Sequence, residues 1–211
     1  MLGVMIVEDS PFTMEYLELE LYKMKHKYKV LCKFRGVENV ELACESGRIN
    51  IVLMDVCLGE KSGLDLAKNI KEKFPSIKVI VMTSMMDQTF IKQAKVSGCD
   101  GFWFKESMNR GILSILEEVA AGEKIFIDDF PDIKLGNAKL EELTEAELAV
   151  LRSFAKGCTY AEVAEDCHIS QNTVRYHVKN LTSKTGMHNM AKIALEAVDK
   201  RVILQGFRGG F

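Results

Sequence analysis

The sequence predicts an α/β unit, a doubly wound (βα)5 parallel sheet, followed by a small all-α unit of four helices. Two patterns and a break between them predict this. Over residues 1–121, short continuous apolar runs alternate with longer stretches of helical period, the mark of parallel strands covered on both faces. Over 122–140 the periodicity fails, and over 141–201 only helical spacing remains.

The strands are expected at 2–7, 28–34, 51–54, 77–82 and 101–104, each short, rich in β-branched or aromatic residues and bounded by polar or turn residues. Amphipathic stretches near 11–26, 36–47, 62–73, 87–98 and 107–121 supply the helices. Ser10 before Pro11 is a good start for the first, because the hydroxyl can cap and proline at the first helical position loses no needed donor. Gly122, the Asp128-Asp129 pair, Pro131, Gly136 and Asn137 punctuate 122–140, which reads as a linker. Beyond it, helices are expected near 144–156, 159–166, 170–184 and 188–199, with Gly157 ending the first and Gly186 the third. Thr144 and Glu147 have capping-box spacing. Residues 202–211 read as a tail, frayed over its last residues.

A chain of 211 residues, 47% hydrophobic and 27% charged, is long enough for two modest domains and too short for three. Its apolar runs fall short of the roughly 20 residues that span a bilayer, and its start lacks signal-peptide features, so a cytoplasmic protein without membrane contact is expected. Cys32, Cys44, Cys57, Cys99, Cys158 and Cys167 are scattered without a C-x-x-C pair, which fits reduced core thiols. The net charge of −2 does not announce a nucleic-acid binder, but it hides a reversal. Residues 141–169 are strongly acidic, whereas from Ser170 onward Arg175, Lys179, Lys184, Lys192, Lys200, Arg201 and Arg208 face only Glu196 and Asp199.

In doubly wound sheets ligands gather beyond the carboxyl ends of the strands. Here those ends carry Glu8-Asp9, Asp55, Thr83 and Lys105. Three carboxylates brought together repel, and a hard divalent cation such as Mg²⁺ is the natural remedy. With the cation and an ammonium offsetting charge on the transferring oxygens, Asp55 can act as a nucleophile toward a phosphoryl group.

These residues, with Gly63 in register, give 2–121 a resemblance to the receiver domain of two-component response regulators. The resemblance implies that Asp55 accepts a phosphoryl group from a sensor histidine kinase. It implies Mg²⁺ on Glu8, Asp9, Asp55 and the backbone carbonyl of Cys57. Thr83 and Lys105 would bind phosphoryl oxygens, and Phe102 would be the switch aromatic that turns inward. Gly59 stands where the family often has proline, which implies a looser loop, and Cys57 replaces a commoner polar residue.

In the second unit, Val163, Ile169, Val174, Val178 and Leu181 recur as the buried face of two short helices joined by a tight turn. Opposite them lie Gln171, Asn172, Arg175, Tyr176 and Lys179, side-chain types that reach phosphates or base edges in a major groove. The stretch 170–181, SQNTVRYHVKNL, makes 141–199 resemble the LuxR-type helix-turn-helix of the NarL/FixJ subfamily. That resemblance implies promoter DNA contacts by Asn172, Arg175, Tyr176 and Lys179, a phosphate contact by Lys184, and dimerisation on DNA through the helix at 188–199. Glu165-Asp166 and Met190 depart from the basic residues frequent at those positions. The reading is a phosphorylation-gated, dimeric transcription factor whose only catalysis is its own phosphoryl transfer and dephosphorylation. A phosphohydrolase commonly has a second acid two residues after its nucleophile, where this chain has Cys57. A protein-interaction role for the helical unit is the other alternative.

Overall fold

The computed structural model describes residues 1–59, 61–85, 88–107, 110–126, 133–200 and 202–203, which fall into two compact units. The Asp128-Asp129 pair, Pro131 and the end of the tail lie outside the described residues.

The first unit runs β1 (Leu2–Val7), α1 (Pro11–Lys23), β2 (Tyr28–Phe34), α2 (Val40–Cys44), β3 (Ile51–Asp55), α3 (Gly63–Lys73), β4 (Lys78–Thr83), α4 (Gln88–Val96), β5 (Gly101–Phe104), α5 (Ile112–Ala120) and β6 (Ile125–Phe126). The sheet order is β2-β1-β3-β4-β5-β6, every pair parallel. Side chains alternate across a strand. Val4, Ile6, Ile51, Leu53, Ile80, Met82 and Trp103 therefore pack on α1 and α5, against Leu17, Leu21, Ile115 and Leu116. The intervening Met5, Val52, Met54, Val79, Val81 and Phe102 are buried as well, on the face covered by α3 and α4. Burial on both faces explains why these strands read as continuous apolar runs.

Local chemistry sets the helix ends. Ser10 accepts from the Thr13 amide at 3.4 Å, with Pro11 opening α1. Of the helix expected over 36–47 only Val40–Cys44 forms, its start delayed because Asn39 enters it in the left-handed region, at φ 63°. At the other end of the sheet, buried Asp100 accepts from Lys71 at 2.8 Å, Lys78 at 3.2 Å and the Val79 amide at 3.0 Å, tying α3, β4 and the start of β5 together.

Gly63 begins α3 where a Cβ would stand 1.8 Å from the Asp55 carbonyl oxygen. Its amide donates to the Val56 carbonyl at 2.8 Å, so the backbone cannot retreat cheaply. Gly63→Ala is expected to destabilise this unit by about 1–3 kcal/mol, as urea denaturation will measure.

The second unit opens with a hairpin, β7 (Lys134–Leu135) and β8 (Ala138–Lys139), and a 3₁₀ turn, Leu140–Glu142, before α6 (Glu145–Ala155), α7 (Tyr160–Asp166), α8 (Gln171–Thr185) and α9 (Met190–Asp199). The four helices fall within two residues of their expected limits. Thr144 and Glu147 form the expected capping box, and Thr159 with Glu162 a second. Ser170 caps α8, and Gly186 at φ 68° ends it. His168, at φ 54°, makes the left-handed step in the α7–α8 turn.

The boundaries around the linker need correction. Within the range expected as linker, Ile125 and Phe126 extend the sheet beside β5, while Leu135, Ala138 and Leu140 are buried in the helical core. Gly136-Asn137 is the hairpin's turn: the Asn137 amide donates to the Thr185 carbonyl at 2.9 Å and that of Gly136 to Glu196 at 3.1 Å. The range expected as tail also starts too early, because Val202 and Ile203 fold back onto the Ala197 carbonyl and are buried.

Candidate functional site

Strand register builds the first site. Val7 stands opposite Met54, Asp55 opposite Met82 and Thr83 opposite Phe104, so the residues at and just beyond these positions share one edge. The Lys105 amide continues the ladder to the Thr83 carbonyl at 2.8 Å. Lys105 Nζ lies 2.6 Å from Glu8 Oε2 and 3.0 Å from Asp55 Oδ1. Glu8, Asp55 and Thr83 are buried, and Asp9 is exposed beside them. One carboxylate oxygen from each of Glu8, Asp9 and Asp55 comes within 4.8 Å of the others.

Three carboxylates, two of them buried, face one ammonium, so acidic groups outnumber basic ones in this crevice. Burial pushes the Asp55 carboxyl up to about 7; Lys105 works against that rise, and Glu8 and Asp9 add to it. Burial disfavours the Lys105 ammonium, but Asp55 and Glu8 outweigh it and hold its pKa above the ordinary lysine value. The excess of negative charge and the convergence of three carboxylate oxygens suit a hard divalent cation. Burial first, and then the charge of Asp55, push the Cys57 thiol up to about 12.

The loop after Asp55 is held differently from the sequence expectation. Gly59 adopts φ 64°, closed to proline, and its amide donates to Asp9 Oδ2 at 3.1 Å, a bond that proline cannot make. The replacement tethers an acidic ligand candidate. Phe102 is fully buried in β5, opposite Val81 on one side and Phe126 of β6 on the other.

On α8, Val174, Leu181 and Thr185 face the core, while Asn172, Arg175, Tyr176 and Lys179 stand exposed together. Arg175 Nη1 donates to Asn172 Oδ1 at 3.2 Å. Lys184 turns inward: its Nζ lies 2.7 Å from Glu147 Oε2 and 2.9 Å from the Glu142 carbonyl. This geometry supports a structural ion pair for Lys184 in place of the expected phosphate contact. Asp166, though exposed, is also paired within the unit, accepting from Ser153 and from Lys156, the latter at 3.2 Å. Met190 packs against the helical core, which accounts for an apolar residue there. Sequence reasoning missed the Glu147–Lys184 pair and Tyr160, which lies under Arg175; neither has a spacing that announces it.

A family model of the response regulator receiver domain matches residues 4–117, more than half of the chain. This chain belongs to the response regulator family. A second model, bacterial regulatory proteins of the LuxR family, matches residues 141–197 of the regulator. Among curated relatives, the regulator is 24% identical over 193 residues to a nitrate/nitrite response regulator protein homolog of Haemophilus influenzae, covering 89% of this chain and 92% of that protein. It is 29% identical over 160 residues to the response regulator protein VraR of Staphylococcus aureus, covering 73% and 76%. In fold it is similar to RcsB of Salmonella enterica serovar Typhimurium, solved bound to a promoter with a phosphomimetic, at TM-score 0.61, 21% identity and 92% and 97% coverage. A structure of two RcsB dimers bound to two parallel DNAs gives TM-score 0.61 at 21% identity, covering 92% and 96%.

Proposed function

We propose that the regulator is a phosphorylation-gated, DNA-binding transcription factor of the cytoplasm in which Asp55 is the phosphoacceptor. The observation that carries this reading is the buried Asp55 carboxylate, 3.0 Å from Lys105 Nζ and grouped with Glu8 and Asp9. Asp55 attacks the phosphorus of a phosphohistidine on a sensor kinase whose other ring nitrogen carries a proton; the P–N bond breaks, a P–O bond forms, and neutral imidazole leaves. Glu8, Asp9, Asp55 and the Cys57 backbone carbonyl would hold Mg²⁺, which would supply positive charge to offset charge on the transferring oxygens. Lys105 exchanges part of its pairing with carboxylates for a phosphoryl oxygen. The Thr83 hydroxyl bonds another. Phe102, already inward, holds the packing that favours this arrangement, and a two-state equilibrium then shifts toward a DNA-competent dimer. The regulator's catalysis is limited to its own phosphorylation and dephosphorylation.

In this reading α8 enters the major groove of promoter DNA, with Asn172, Arg175, Tyr176 and Lys179 toward bases and backbone. RcsB, solved as dimers on DNA, supports both the duplex and the dimer. Arg175→Ala and Lys179→Ala are each expected to weaken binding without unfolding the helical unit. Where the lost contact was to phosphate, the log–log salt slope falls by about 0.9. Mobility shift across salt concentrations, with and without a phosphodonor, tests this. Absence of salt-dependent binding to any duplex turns the reading toward a protein-interaction module.

A further inference from the structure

We propose that Tyr160 is a positioning residue that holds Arg175 for bidentate contact with a guanine, so that the operator half-site carries guanine where Arg175 lands. This rests on the DNA-binding reading above and deepens it.

The Arg175 guanidinium lies over the Tyr160 ring, 6.0 Å from its centroid. The ring, 38% exposed, is braced by its neighbours. Tyr160 is the first residue of α7, whose start is set by the Thr159–Glu162 capping box, and it meets Phe154 of α6 edge-on, at 5.1 Å and 74°. Phe154 in turn packs on the helical core. A cation over an aromatic face is attracted by the ring quadrupole. The same attraction offsets repulsion from Lys179, one helical turn along α8. Asn172 Oδ1 takes one N–H of Nη1, so four of the five guanidinium donors remain. A planar fork supported on one face and along one edge keeps the orientation that a guanine O6/N7 pair requires. In a helix-turn-helix the first helix crosses the DNA backbone and the recognition helix enters N-terminus first, so Tyr160 and Arg175 both sit at the approaching end.

The test uses full-length regulator and duplexes that the wild type selects from a random pool. Affinity is read by fluorescence anisotropy, and each half-site guanine is replaced in turn. In the wild type, one such replacement is expected to weaken binding about tenfold or more. Tyr160→Phe keeps the ring and retains this discrimination. Tyr160→Leu keeps bulk against Phe154 without the π face, and is expected to reduce discrimination at that guanine about two- to fivefold with the salt slope unchanged. Arg175→Lys removes most of the discrimination, and adding Tyr160→Leu to it removes no more. Wild-type discrimination in Tyr160→Leu, or a further loss in the double variant, overturns the proposal. Absence of salt-dependent binding by the wild type instead overturns the DNA-binding reading.

Discussion

Replacing Asp55 with Asn is expected to abolish labelling of the regulator by a small phosphodonor such as acetyl phosphate in Mg²⁺. The amide is neutral and a far weaker nucleophile, while Lys105 keeps its 2.6 Å partner Glu8, so the pocket loses its chemistry without losing its frame. Phosphorylation that persists in this variant moves the acceptor to another residue. A second consequence follows from the charge imbalance. The Asp55 carboxyl is pushed up to about 7, well above its value in an unfolded chain. Between about pH 4 and 7 the folded state therefore binds more protons than the unfolded one, and this group's contribution to stability is lost as pH rises through that window. The ammonium of Lys105, favoured in turn by Asp55, returns part of that loss. Asp55→Asn is expected to stabilise metal-free regulator by about 1–3 kcal/mol at pH 8, with the gain shrinking toward pH 4. Trp103, the chain's single tryptophan and buried against α1, reports unfolding of this unit in urea with a chelator present. Lower stability of the variant at pH 8 would show that the attraction of Lys105 for Asp55 outweighs the repulsion among the carboxylates.

The sequence showed what strong periodicity and strand ends can show. Five strands, the start of α1 and all four helices of the second unit were legible because each carries several residues of consistent spacing or an explicit cap, as Ser10-Pro11 and Thr144 with Glu147 do. The grouping of Glu8, Asp9, Asp55 and Lys105 was legible too, because parallel topology alone brings those ends to one edge. What escaped was short or long-range. β6 and the β7–β8 hairpin use two-residue strands, too brief for an alternation pattern. The late start of α2 turns on one left-handed residue, Asn39. The direction of Lys184 depends on a partner 37 residues away, and a basic face read from helical spacing cannot tell a lysine aimed at phosphate from one aimed at a buried carboxylate.

Lys184→Met is therefore expected to act on folding before it acts on DNA. Glu147 is 1% exposed, and its carboxylate takes Lys184 Nζ at 2.7 Å and the Thr144 amide at 2.8 Å. Removing the ammonium leaves a buried charge supported, among the described residues, by the cap, an arrangement that costs about 3–5 kcal/mol in a dry interior. The Lys184 side chain is 33% exposed, so water recovers part of that, and about 2–3 kcal/mol is expected. Amide hydrogen exchange in α6 and α8 reads this as a fall in protection of about 30- to 150-fold. Adding Glu147→Gln removes the buried charge but keeps a side chain that can bond the Thr144 amide, and should restore most of the loss. The pH dependence has the opposite sign to that of Asp55. Burial pushes the Glu147 carboxyl upward, but the bonds from Lys184 and Thr144 outweigh it and hold the pKa below the ordinary glutamate value. Its stabilisation is thus present above the unfolded pKa and lost as pH falls through the folded one, so wild type and Lys184→Met should converge in acid. If protection is unchanged in Lys184→Met while the salt slope of DNA binding falls, Lys184 is a phosphate contact and the ion pair contributes little to the fold.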